Sequence, residues 1–409
     1  MPRRRVDHLL IGGGLAAANC ARWLREEGAD GSIVLVGREL DPPYNRPPLS
    51  KGYLQAKESK EDALFRPDGW WAEQEIELLT RTSAMKLDLA ERVATLSTKD
   101  ELEFDKALIA TGANVRRLRA EGAELDGIHY LRAFGNSDAI RADAAQAERA
   151  VLIGGSYIGA EVAASLTAAH GVKCSIVMME QVTLERAFGV EVGRFFQDVL
   201  EEHEVEVHGG DELERFEGAD GRVRKVITKG GRELDCDFVV IGAGVAPDVM
   251  LARAAGLELG DAGGVRCSAG LESSAPGVFA AGDMCEYDSP LHGRPLRIEH
   301  WDVAFNHGKT AALNMLGRGV EHDTLPYFFS DLADWTSLEY VGPGAGDTVV
   351  RGSLDEGEFS VFYLDGGRVV AALAVGRSDD LEHARRLITA AARPSPDALR
   401  DESTDLAEL

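Results

Sequence analysis

Val6–Glu27 reads VDHLLIGGGLAAANCARWLREE, and this stretch decides the fold. Leu9–Ile11 is a short apolar run of the kind that makes a buried strand, and it stops on consecutive glycines. An alanine-rich segment with helical periodicity follows. Gly12, Gly14 and Ala17 fall on the pattern G-x-G-x-x-G/A. The first glycine of that pattern permits a tight turn, and the second lets the backbone approach a pyrophosphate. The small third residue lets helix and strand pack closely. A helix that opens on such a turn aims free N–H groups and the positive end of its dipole at phosphate. Residues 151–171, VLIGGSYIGAEVAASLTAAHG, repeat the strand, glycine turn and alanine-rich helix. Two such units in one chain predict an α/β protein with two Rossmann-like dinucleotide-binding domains.

Working outward, the run SIVLV at 32–36 is the expected second strand, and Glu39 lies just beyond it. An acid placed there binds adenosine ribose hydroxyls. Residues 41–54, DPPYNRPPLSKGYL, carry four prolines and two cations, Arg46 and Lys51. So much proline predicts a stiff loop. Residues 76–98 alternate as short strands and turns, and the next strand ends in ALIATGA, with Ala110, Thr111 and Gly112 at its close. The basic run VRRLR at 115–119 comes next, then a helix expected over 137–150.

In the second glycine turn Ser156 stands where glycine is usual. Its strand, expected over 175–179, ends at Glu180. An acid at that point repels a 2′-phosphate and favours NADH over NADPH, although Arg186 lies nearby. Residues 205–235 alternate as an antiparallel ribbon, and 238–241 is an apolar strand running into Gly242 and Gly244. A further strand–glycine unit, VFAAGD, ends at Asp283, and a helix is expected over 303–316 after Trp301. From Tyr327 the composition turns aromatic and alternating, which predicts a small antiparallel sheet with one helix at 379–391. The polar residues 393–409 are expected to fray.

Composition narrows the function. The 409 residues carry a net charge of −25, from 44 basic and 69 acidic side chains. That balance argues against nucleic acid, which needs a basic face. No run approaches the length of a membrane helix. Five scattered cysteines with no C-x-x-C pair point to reduced thiols in a cytoplasm. The ten histidines show no metal spacing. Arg3–Arg5 before an apolar run imitates a signal peptide, but Asp7 and His8 interrupt the pattern and glycines break the run.

The stretches LLIGGGLAAA, PPYNRPPLSK, ALIATGA, YLRAFGNSDAIR, VLIGGSYIGAEVA, VIGAGVAPD, GVFAAGDM and RIEHWDVAFNHG occur in this order along the chain. As a set they resemble the FAD-dependent NAD(P)H:ferredoxin reductases of bacterial oxygenase systems, a family related to apoptosis-inducing factor. The resemblance implies a glutathione-reductase-like architecture. Residues 1–110 and 236–320 would form a discontinuous FAD-binding domain, 111–235 an NAD-binding domain and 321–409 an α+β C-terminal domain. It assigns Gly12, Gly14, Leu15, Ala16, Glu39, Arg46, Lys51, Ala84, Ala110, Thr111, Gly112, Arg132, Asp283, Glu299, His300 and Trp301 to FAD. It assigns Gly154, Gly155, Ser156, Tyr157, Ile158, Glu180, Gly242 and Gly244 to NADH. Lys51 would lie near the flavin and pair with Glu161, and Trp301 would sit against the ring.

The resemblance further implies hydride transfer from NADH to FAD and single-electron delivery to a separate [2Fe–2S] ferredoxin, by a monomer or homodimer. Disulfide reductases of this architecture need redox thiols, and none occurs between Cys20 and Cys174. Cys285, two residues past Asp283, is expected to be a small buried side chain. Two other readings stay open at this point. One is an NADH-sensing flavoprotein like apoptosis-inducing factor, which also has histidine at the position of His300. The other is an NADH oxidase or reductase of small acceptors. The acidic charge opposes docking of an acidic ferredoxin unless Arg116, Arg117 and Arg119 form a local patch.

Overall fold

The computed structural model describes residues 3–409, which form two compact units. One unit takes the chain as far as Asn45, then Ala63–Asn114 and Ala246–Pro326. The other holds Arg46–Asp62, Val115–Val245 and Tyr327–Leu409.

The first unit is built on a parallel sheet of Ile76–Leu79, Ile33–Val36, Arg3–Ile11 and Glu101–Ile109. Strands covered on both faces read as continuous apolar runs, and all of Ile33–Val36 is buried. Arg3, Arg4 and Arg5 belong to the first strand, where they face Glu103, Glu77 and Asp105 as surface ion pairs. The strand Glu101–Ile109 changes neighbours along its length. Its start pairs antiparallel with Val93–Leu96, and its end pairs parallel with Val278–Ala280. Helix Leu15–Glu26 crosses helix Trp301–Met315 at Gly308, where a Cβ would lie 2.5 Å from the Ala16 carbonyl oxygen. Glycine is what lets these helices approach.

The second unit holds another parallel sheet, in the order Glu206–His208, Lys173–Val177, Arg149–Ile153, Phe238–Ile241, Ile128–Tyr130. An antiparallel ribbon of Leu213–Ala219, Arg222–Thr228 and Glu233–Asp235 accompanies it. The C-terminal part is a five-stranded antiparallel sheet between Tyr327 and Val375, with helix Ser378–Thr389 against it.

Several expectations shift. Phe238–Ile241, expected in an FAD-binding segment, hydrogen-bonds to Ala150–Ile153 in the second unit's sheet. Residues 46–62 also belong to the second unit, because the Tyr53 hydroxyl donates to Asp138 at 2.6 Å and Gln55 to Ser165 at 3.0 Å. Pro47–Ser50 is a 3₁₀ turn within the expected loop. The helix expected over 137–150 runs from Phe134 to Ala144, since Arg149 already begins a strand.

The C-terminal residues are ordered rather than frayed. Arg351, only 5% exposed, donates to the carbonyls of Leu399, Asp401, Glu402 and Thr404. Arg386 donates to those of Leu406 and Leu409. These clamps let Leu399 and Leu406 bury themselves. Replacing Arg351 by Met should free the segment, so trypsin is expected to cut Arg351→Met after Arg400 where the parent resists. Equal resistance of both proteins would show that the apolar anchors suffice.

Candidate functional site

In the first unit the carboxyl ends of three neighbouring parallel strands converge, the place where open α/β sheets bind ligands. Gly12 follows the first strand with φ +131°, and a Cβ there would lie 2.1 Å from the Ala110 carbonyl oxygen. The turn therefore closes tightly against Ala110, Thr111 and Gly112, which end the neighbouring strand. At Gly14 a Cβ would meet nothing within 4 Å. Gly12 is thus required by the protein's own packing, whereas Gly14 leaves open space over the N-terminus of helix Leu15–Glu26. No side chain among the described residues caps that helix. This is a cradle into which a pyrophosphate fits.

Ala281 N–H donates to the Ile109 carbonyl at 3.1 Å, which brings Asp283 to the same end of the sheet. The Thr111 hydroxyl donates to the Asp248 carbonyl at 2.6 Å. Glu39 follows the second strand, and Tyr44 donates to its carboxylate at 2.6 Å. Ala84 starts the strand Ala84–Asp88. Arg297 links Glu299, at 2.5 Å, to the Asp283 carbonyl, at 3.0 Å. His300 occupies the N-cap position of the helix that begins at Trp301 without a side-chain capping bond, and burial pushes its imidazole down to about 4, so the ring is neutral. Trp301 is 37% exposed, stacks on Phe305 and donates to Asn45 at 2.9 Å.

In the second unit the second glycine turn has the same logic. Gly154 has φ +107°, and its Cβ would lie 2.5 Å from the Gly242 carbonyl oxygen. A Cβ on Gly159 would lie 1.9 Å from the Gly154 carbonyl oxygen. Gly155 lies under the Met178 side chain, and Gly244 has open space about it. Ser156 occupies the N-cap of helix Tyr157–His170 in an extended conformation, with its hydroxyl 3.4 Å from the Gly242 carbonyl. Tyr157 packs edge-on against Phe328 and Phe188, while Ile158 is 37% exposed. Glu180 lies three residues past the strand Lys173–Val177 and is ion-paired with Arg186.

One buried cluster draws together residues distant in the chain. The Glu161 carboxylate, 5% exposed, lies 3.1 Å from Lys51 Nζ and accepts hydrogen bonds from the Ser50 and Ser330 hydroxyls, each at 2.6 Å. Asp331 approaches Lys51 at 3.6 Å, and Lys51 Nζ lies 4.6 Å from the centre of the Phe329 ring. Arg46, at the start of the Pro47–Ser50 turn, donates to the Arg132 carbonyl. Sequence reasoning reached Lys51 and Glu161 but missed Phe329, Ser330 and Asp331. The available signal was a polar pair, Ser330-Asp331, inside an aromatic strand, with Ser330 on its buried side.

All five cysteines are free and buried. Burial raises the thiols of Cys174 and Cys236 to about 12 and raises Cys20 and Cys285 as well. Raised in this way, these four are not poised as nucleophiles. The basic run is exposed, with Arg116 donating to the Val245 carbonyl and Arg117 lying over Tyr130.

Two glycine turns, each made by backbone close approach beneath an uncapped helix, define a dinucleotide-dependent oxidoreductase of the two-nucleotide kind. Residues 6–308 match the family described as pyridine nucleotide-disulphide oxidoreductase, and residues 327–409 match the one described as reductase C-terminal. The ferredoxin–NAD(+) reductase component of the anthranilate 1,2-dioxygenase system of Burkholderia cepacia is 37% identical, over 97% of this chain and 98% of its own. The crystal structure of the ferredoxin reductase for the CYP199A2 system of Rhodopseudomonas palustris superposes with a TM-score of 0.94, at 30% identity, covering 98% of this chain and 99% of that one. The reductase in a covalent putidaredoxin reductase–putidaredoxin complex superposes at 0.93, with 32% identity over 98% and 97%. The chain belongs to the pyridine nucleotide-disulphide oxidoreductase family, among the ferredoxin reductases of oxygenase systems. It is an oxidoreductase that uses FAD and NAD(P)H.

Removing the cation from the Glu161 cluster tests its part in the reaction. If Lys51 faces the flavin, as the resemblance implies, Lys51→Ala is expected to retain FAD but to slow flavin reduction by NADH roughly tenfold or more, because a fixed charge would be lost there. Stopped-flow absorbance reads this directly, and unaltered kinetics would remove Lys51 from the mechanism.

Proposed function

We propose that this protein takes hydride from NADH onto bound FAD and delivers the electrons singly to a separate [2Fe–2S] ferredoxin serving an oxygenase or a cytochrome P450. The observation that carries this reading is the Lys51–Glu161 pair in a chain whose cysteines are all buried and free. Disulfide chemistry needs an accessible thiolate. A fixed cation instead suits a ring that gains negative charge. Two relatives, a dioxygenase-system reductase and a reductase captured with putidaredoxin, support the same class of acceptor.

Bound FAD supplies hydride acceptance and one-electron release. The protein supplies position and charge. In the first unit, Gly14 and the uncapped helix would take the pyrophosphate, Glu39 the adenosine ribose and Asp283 the ribityl chain. In the second, Gly154, Gly155 and the helix after Ser156 would take the NADH pyrophosphate, and Glu180 its ribose hydroxyls. Lys51 would hold its charge beside the flavin, kept in place by Glu161. No helix among the described residues is long and apolar enough to cross a membrane. The free thiols support a reducing cytoplasm.

Reduction of cytochrome c by NADH, with and without catalytic [2Fe–2S] ferredoxin from the same organism, tests the proposal. A large ferredoxin-dependent rise is expected, and a rate indifferent to every such ferredoxin would overturn it. For the nucleotide, Glu180→Arg is expected to raise NADPH use relative to NADH by about tenfold or more, since a repelling charge becomes an attracting one. Unchanged selectivity would mean that Glu180 does not meet the ribose.

A further inference from the structure

Asp283 lies in a one-turn 3₁₀ segment, Gly282–Met284, between strands Val278–Ala280 and Cys285–Ser289. Gly282 has φ +75°, with room for a Cβ only at contact distance from Ala16 and Ala304. Two side chains among the described residues bond to the backbone of the turn. Arg297 donates to the Asp283 carbonyl at 3.0 Å, and His307 Nδ1 accepts the Gly282 N–H at 3.2 Å. His307 projects from helix Trp301–Met315 and is fully buried. Its ring meets Tyr287 edge-on at 4.8 Å and His322 at 4.5 Å. His322 is anchored in turn, with its backbone N–H on the Ala269 carbonyl at 2.8 Å and its Nδ1 3.1 Å from the Thr310 hydroxyl.

An imidazole that accepts at Nδ1 carries its proton on Nε2 and is uncharged. Burial and the neighbouring His322 hold His307 well below the usual histidine range, in agreement with that geometry. An apolar side chain of similar size would fill this volume without a polar atom. It would also leave the Gly282 N–H buried and unpaired, which a fold avoids. The histidine satisfies that backbone group although its own buried Nε2 finds no partner among the described residues, so what it provides is a fixed acceptor for the Gly282 N–H.

We propose that His307 is a positioning residue for the flavin turn: by accepting the Gly282 N–H it fixes the backbone from which Asp283 projects. The proposal rests on reading Asp283 as an FAD residue.

The test uses His307→Leu, His307→Asn and Asp283→Ala in the full chain. Apoprotein is titrated with FAD, flavin fluorescence quenching gives the affinity, and the apoprotein melting temperature gives the structural cost. Leu and Asn both lose the ring contacts, so both should lower the melting temperature. Asn Oδ1 takes the place of Nδ1 as an acceptor, so only Leu should weaken FAD by about tenfold or more, with Asn staying within about threefold. Equal FAD affinities in the two variants overturn the proposal. If His307→Leu does not accumulate, folded His307→Asn decides: retained FAD supports the proposal, and a loss beyond tenfold overturns it. Unchanged affinity in Asp283→Ala overturns the flavin assignment of the turn, and this proposal with it. Loss in Asp283→Ala with none in His307→Leu overturns the role of His307 alone.

Discussion

A carboxylate taken almost wholly out of water governs the second unit. The cost of desolvating an ion, about several kcal/mol after relaxation, is recovered only with a close counter-ion and saturated lone pairs. Glu161 meets that demand with Lys51 and the hydroxyls of Ser50 and Ser330. These partners come from the proline-rich segment and from the first strand of the C-terminal sheet. The requirement therefore ties three distant parts of the sequence together. It also accounts for the company kept by residues 46–62, which lie with the second unit although their sequence neighbours lie in the first.

Backbone sterics govern the glycine turns in a different way. Gly12 and Gly154 are demanded by the carbonyls of Ala110 and Gly242, which would meet any Cβ at those positions. Gly14 carries no such constraint from the protein, since a Cβ there meets nothing. Glycine at an unconstrained position beside an uncapped helix is best explained by a ligand that must approach the backbone. The departure at Ser156 fits the same account. Its side chain turns toward the Gly242 carbonyl instead of lying over the turn, so the motif tolerates it.

The features legible in the sequence were those set by local rules. Both strand–glycine–helix units, the acids after their second strands and the alternating C-terminal sheet follow from backbone sterics and side-chain periodicity. What escaped were contacts made only by the fold. Polarity suggested fraying for residues 393–409, yet Arg351 pins their carbonyls from a strand more than forty residues earlier. Proline content predicted a stiff loop for 41–54, which holds apart from the 3₁₀ turn Pro47–Ser50, but said nothing about the unit it would join. Phe329, Ser330 and Asp331 passed as ordinary strand residues because their significance lies in Lys51 and Glu161, which no local pattern connects to them.

The pairing of Glu180 with Arg186 bears on nucleotide choice, and magnitudes decide how. The Arg186 side chain is 76% exposed and that of Glu180 21%. An exposed ion pair of this kind is worth about 0–1 kcal/mol, so either partner can exchange it for a ligand contact. Their backbones differ, however. The Glu180 carbonyl accepts the Gly210 N–H at 2.8 Å, beside the strand end, whereas Arg186 lies in the short helix Glu185–Phe188 with its guanidinium largely in water. On binding, the solvated arginine is the partner free to swing away, and the carboxylate remains where the ribose hydroxyls would arrive. With Glu180 as the ribose ligand proposed above, selectivity would follow the anchored group and not the net charge of the pair, and a nearby arginine need not turn the site toward NADPH.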